Sequence, residues 1–98
     1  MERDDIDPVK LVRLAWMLVD LLEETCATTL DADARTRLAG AVQRALAEVG
    51  SAVPNDLVEE LGHQLRLPRG RPPTQADLLI LEAQLVGWLR GLLAPGEA

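Results

Sequence analysis

His63, Ser51 and Cys26 are each the sole residue of their type among 98, and neither tyrosine nor phenylalanine occurs. A Ser–His–Asp arrangement would have to be built from Ser51 and His63, and neither lies in a motif that shapes a nucleophile turn or orients an imidazole. A Cys26–His63 pair is set aside because Cys26 is expected on the apolar side of its helix as a buried, inert thiol. Glu60 and His63 have the Glu-x-x-His spacing of carboxylate metal bundles, but such a site takes two pairs and no second histidine exists. A small carboxylate metal binder is therefore carried only as an alternative. Glu23-Glu24 and Glu59-Glu60 read as solvated helix surface, and His63 as a polar residue on the outside of its helix. Arg69-Gly70-Arg71 lacks the glycine spacing and the preceding strand of a phosphate loop, so it reads first as a loop that stays soluble and second as a contact for an acidic partner. These residues point to no catalytic group, no metal and no cofactor: the expectation is a protein that is not an enzyme.

With catalysis set aside, the informative stretch is Thr74 to Leu93. Leu78, Leu81, Leu85, Trp88 and Leu92 recur at steps of three and four, which aligns them along one side of a helix. A second row, Leu79, Val86, Leu89 and Leu93, lies beside the first, and Ile80, Ala83, Gly87 and Gly91 make the rest apolar and small. A helix apolar nearly all round is buried among several neighbours, and a chain this short offers few. The expectation is that other copies of the chain supply them. Gly87 and Gly91 each cost about 1 kcal/mol against alanine inside a helix, which predicts a close helix crossing there, within the bundle or between subunits.

The remaining composition agrees with an all-α fold. Leu, Ala and Val dominate, no run of alternating β-branched residues suggests a strand, and the net charge of −6, from sixteen acidic and ten basic residues, opposes a polyphosphate partner. One cysteine allows no intrachain disulfide. The leading MERDDIDP is unlike a targeting peptide, and the apolar run from Leu78 to Leu93 is short for a bilayer and carries Glu82, Gln84 and Arg90. A cytoplasmic protein without nucleic-acid or membrane partners is expected.

In order, residues 1–7 form a disordered leader ending in Asp7, an N-cap, with Pro8 at the first helical position. Helix one spans about 8–26, with Leu11, Leu14, Leu18, Leu21 and Leu22, together with Val12, Ala15 and Val19, on its core face and Trp16 with Val9 on the border. Such a border tryptophan is more often the rim of a monomer core than a subunit contact. Asp31 caps helix two, about 31–49, whose stripe is Ala34, Leu38, Ala41, Val42, Ala45 and Val49, and Gly50 is expected as its C-terminal cap. Pro54 opens a short helix three, about 54–65, with Leu57, Val58 and Leu61 inward. Pro68 to Pro73 forms an extended loop. Thr74 and Asp77 form a capping box that starts helix four, about 74–93, and 94–98 is a short tail. A four-helix bundle follows, one helix being short.

The run Ala83-Gln84-Leu85-Val86-Gly87-Trp88-Leu89-Arg90-Gly91-Leu92-Leu93 closely resembles the last helix of the bacterial proteasome activator family of actinobacteria, which has Glu at the position of Arg90. Leu21-Leu22-Glu23-Glu24, Leu30-Asp31 with Arg37-Leu38, Val53-Pro54 and Leu65-Arg66-Leu67-Pro68 fall in the family's order with similar spacing. The resemblance covers roughly residues 8–93. It implies a four-helix bundle that assembles into a homo-oligomeric ring, a dodecamer in known members, which caps the proteasome core particle and admits unfolded proteins without ATP. The family's docking element, a tail ending in Gly-Gln-Tyr-Leu, is absent from these residues. Two expectations follow: a shortened relative whose body self-assembles and binds unfolded clients or partner proteins, or a genuine activator seen here as a piece. Smaller assemblies than the dodecamer stay open. The residues expected to carry self-association or client binding are Trp16, Leu85, Gly87, Trp88, Leu89, Gly91, Leu92 and Leu93.

Overall fold

The computed structural model describes residues 6–65 and 70–94 and contains, among them, four helices and no strand: α1 Pro8–Ala27, α2 Ala32–Gly50, α3 Asn55–Gln64 and α4 Gln75–Leu93. Each long helix starts where a local side chain satisfies a free backbone N–H. Asp7 accepts from Lys10 N, Asp31 from Ala34 N, and Thr74 and Asp77 each accept from the other's backbone, closing the capping box. At the far end of α2 the expected cap is displaced by one residue. Gly50 is still helical, Ser51 caps in the right-handed region, and its N–H reaches the Ala47 carbonyl. The only described residue at positive φ is Gly70, at +83°.

α1 runs antiparallel to α4, since Thr25 near its end meets Gln75 and Glu82 at the start of α4 while Val12 and Trp16 meet Arg90 and Leu93 at the other end. α1 is also antiparallel to α2: Lys10 Nζ lies 2.8 Å from Glu48 Oε1 and 2.8 Å from Ser51 Oγ. Short α3 packs on α2 and shares a cleft with the end of α4. The core is aliphatic, with Leu11, Leu18, Val42, Val49, Leu78, Leu85 and Leu89 fully enclosed. Each such side chain contributes about 1.5–3 kcal/mol by leaving water. Order extends ahead of α1: Ile6 packs against the core and Asp7 N–H donates to the Ala52 carbonyl at 3.0 Å. The expected leader at 1–5, the Arg66–Arg69 part of the Pro-rich loop and the tail after Ala94 lie outside the described residues.

One expectation about α4 is corrected by the packing. Its leucine seam needs no second copy, because α1 and α2 of the same chain enclose Leu78, Leu81, Leu85, Val86 and Leu89. Glu82, counted above among the charges of the apolar run, is buried at 0% exposure. It stands four residues from both Leu78 and Val86, on the stripe that α1 covers. The side of α4 left to solvent is Ile80, Ala83, Gln84, Gly87 and Gly91.

A candidate self-association surface where α1 meets the end of α4

The first turns of α1 carry more apolar residues than one buried face can take. Leu11 and Leu18 go into the core, and the arc at Val9, Val12 and Trp16, spaced three and four apart, stays in solvent. Trp16 is 69% exposed, the most of any large apolar side chain among the described residues. Beside it a cleft of about 210 Å³ opens between Val12, Ala15, Trp16 and Val19 of α1 and Val86, Arg90 and Leu93 of α4. Its walls are apolar and its single charge is the Arg90 guanidinium at the rim.

Around the far side of α4 a second cleft, of about 310 Å³, is floored by Gly87 and Gly91 and walled by Leu57 and Glu60 of α3 with Trp88 and Leu92. A methyl group added at either glycine would meet no atom of the described chain within 4 Å. The close crossing predicted from Gly87-x-x-x-Gly91 is therefore not made inside the bundle.

The eight residues expected to carry association thus separate. Trp16 and the two glycines are exposed, while Trp88, Leu92 and Leu93 are half-buried, rimming the clefts and packing on the core at once. Leu85 and Leu89, at 0% exposure, are enclosed by their own chain and are offered to no neighbour in this conformation. Val12, expected on the core face of α1, is exposed instead, and Val9 and Ile80 are exposed with it, because a periodic stripe does not say which arc of a helix its neighbours cover.

Polar groups elsewhere settle into structural roles. Cys26 is exposed, not buried as expected: the core face of α1 reaches its last turn at Thr25, and the next residue is turned about 100° away. Glu60 and His63 are both exposed on α3. Among the described residues, no three His, Cys, Asp or Glu side chains are grouped to hold a metal ion, and no helix is long and apolar enough to cross a membrane. Arg71 pairs with Asp77 at 2.8 Å, and with the Thr74 backbone N–H this holds the Asp77 carboxyl down at about 2. Burial pushes the Glu82 carboxyl above its ordinary value, opposed more weakly by the Thr25 hydroxyl.

The sequence matches known proteins of one family. A family model described as "Bacterial proteasome activator" matches residues 3–95. The bacterial proteasome activator of Mycolicibacterium smegmatis is 41% identical over 87 residues, which cover 87% of this chain and 49% of that protein. Those of Mycobacterium tuberculosis and Mycobacterium leprae are 40% and 39% identical over 87 residues, with the same coverage. The chain spans about half the length of the curated relatives it matches. With nearly all of its residues inside the family's pattern, this chain belongs to the bacterial proteasome activator family.

Proposed function

We propose that this chain is the assembling body of a non-enzymatic, ATP-independent proteasome activator, working in the cytoplasm with no cofactor. Copies associate through the exposed end of α1 and the clefts that flank the end of α4, into a closed homo-oligomer for which the dodecameric ring of the family is the reference. The family match over residues 3–95 carries the functional part of this reading. The assembly part is supported by Trp16, an exposed tryptophan beside an apolar cleft, and by two helix glycines that no part of the described chain approaches. Apolar surface left over after association is the place for unfolded client segments, and the proteasome core particle is the partner that would receive them.

The 98 residues contain no tyrosine and hence no Gly-Gln-Tyr-Leu docking element. The test is hydrolysis of an unfolded protein by an actinobacterial proteasome core, with this polypeptide added either as it stands or fused to a tail ending in Gly-Gln-Tyr-Leu. Stimulation by the fused form alone supports an activator body that relies on a tail for docking. Stimulation by the unfused polypeptide would place docking within these residues and overturn the dependence on that tail. No stimulation by either form would overturn the activator reading.

A further inference from the structure

The α1–α4 seam holds one ionisable side chain with no access to water. Glu82 is 0% exposed, and its Oε1 has no hydrogen-bond partner among the described residues. Its Oε2 meets Thr25 Oγ1 at a long 3.4 Å, but that hydroxyl has a single proton and a closer acceptor, the Leu21 carbonyl at 2.7 Å. If the Thr25 proton goes to Leu21, an ionised Glu82 receives no donor at all. An enclosed carboxylate in that condition is far costlier than the neutral acid in the same place.

Among the described residues no cation is paired with Glu82 to offset the cost. α4 packs on α1 and α2. On α1, Arg13, Asp20, Glu23, Glu24 and Cys26 are exposed, and Lys10 at the opposite end is engaged with Glu48 and Ser51. On α2, half-buried Arg35 donates to the Leu30 carbonyl at 2.9 Å, and Asp33, Arg37 and Arg44 are exposed. On α4 itself, Asp77 is tied to Arg71, and Arg90 is exposed two turns away.

We propose that Glu82 is carried in the folded chain as the neutral acid and that its proton locks the α1–α4 seam. The O–H on Oε2 donates to Thr25 Oγ1, whose own proton passes on to the Leu21 carbonyl, so the hydrogen bonds run one way and end on a backbone acceptor. Oε1 is then an unpaired carbonyl oxygen rather than half of an anion. Release of the proton to water leaves a buried charge that can be hydrated only if α1 and α4 part. The folded chain holds this proton more tightly than the unfolded chain does. The stabilisation is therefore complete below the ordinary value of 4.5 and is lost as pH rises through the higher folded value, opposite in sign to a paired surface carboxylate. This inference stands apart from the assembly reading, since it concerns a contact inside one chain.

Urea unfolding from about pH 4 to about pH 8, at one protein concentration, compares the wild-type chain with Glu82→Gln, which keeps the shape and a donor for Thr25 but cannot ionise. The expected result is a wild-type unfolding constant that grows relative to the variant's by up to tenfold per pH unit above 4.5, levelling once the folded chain has given up the proton. A ratio of the two constants that does not move with pH overturns the proposal. Should Glu82→Gln fail to fold, the infrared C=O band of a protonated carboxyl decides it on the wild-type chain alone. The band outlasts those of the exposed carboxyls as pH rises if Glu82 is held neutral, and its loss together with theirs overturns the proposal.

Discussion

Gln75 Nε2, in the first turn of α4, donates to the carbonyl of Thr25, in the last turn of α1, at 2.7 Å. The same amide donates to the Thr28 carbonyl at 2.6 Å, and its Oε1 accepts from Leu30 N at 2.9 Å. One side chain thereby satisfies the end of α1 and the connection into α2, where a helix terminus leaves carbonyls without partners.

Replacing Gln75 removes all three contacts together. Gln75→Ala is expected to cost about 1–3 kcal/mol in urea unfolding, because the Thr25 carbonyl is left part-buried and unpaired. Gln75→Glu should cost a similar amount, since a carboxylate can accept from Leu30 N but cannot donate to either carbonyl. A Glu variant as stable as wild type would show that the two amide donations contribute nothing.

The start of α4 carries an acid-sensitive contact. Asp77, held down at about 2 by Arg71 and by the Thr74 N–H, has a lowered folded value, so its contribution is present above the ordinary 3.8 and is lost as pH falls through about 2. The amide proton of Thr74, which donates to Asp77 Oδ2 at 2.9 Å, should report this step by NMR with a midpoint near 2. A midpoint near 3.8 would contradict the Arg71–Asp77 contact, and Thr74→Ala should weaken the chain by about 1 kcal/mol.

The two glycines of α4 give opposite signs for the lone chain and for an assembly. In a dissociated chain, Gly87→Ala and Gly91→Ala should each stabilise by up to about 1 kcal/mol, because a methyl there meets open space. In an assembly that uses this face, the same methyl holds two helices apart and lowers the associated fraction. Alanine variants that are more stable and associate as fully as wild type would remove the glycine face from the interface.

Much of this molecule is legible where the determinant is local. Asp7, Asp31 and the Thr74–Asp77 box act over three residues, so their types and spacing announce them, and the all-α bundle follows from helical apolar periods bounded by such caps. Glu82 and Thr25 were less legible. Both lie on buried stripes by their spacing, but a charge on an apolar helix suggests solvent until the partner helix is seen to cover that arc. Cys26, expected inward, lies one residue past the buried stripe that ends at Thr25 and faces solvent. The clearest case is the association surface: a rich run of leucines in α4 suggested excess apolar area there, whereas α1 and α2 absorb it and the surplus emerges on α1 at Val9, Val12 and Trp16. That division depends on how three helices share one core, which no single helix's sequence contains.

Association through the apolar surface around Trp16 and the end of α4 is the proposal on which the assembly depends. Light scattering of the eluting protein, over a wide range of loading concentrations, tests it most directly against the single-chain mass of 10.7 kDa. A mass of two or more chains is expected for wild type, with a shift to smaller species for Trp16→Asp and helical content unchanged, since Trp16 is 69% exposed and the core does not depend on it. A wild-type mass of one chain at every concentration would contradict it.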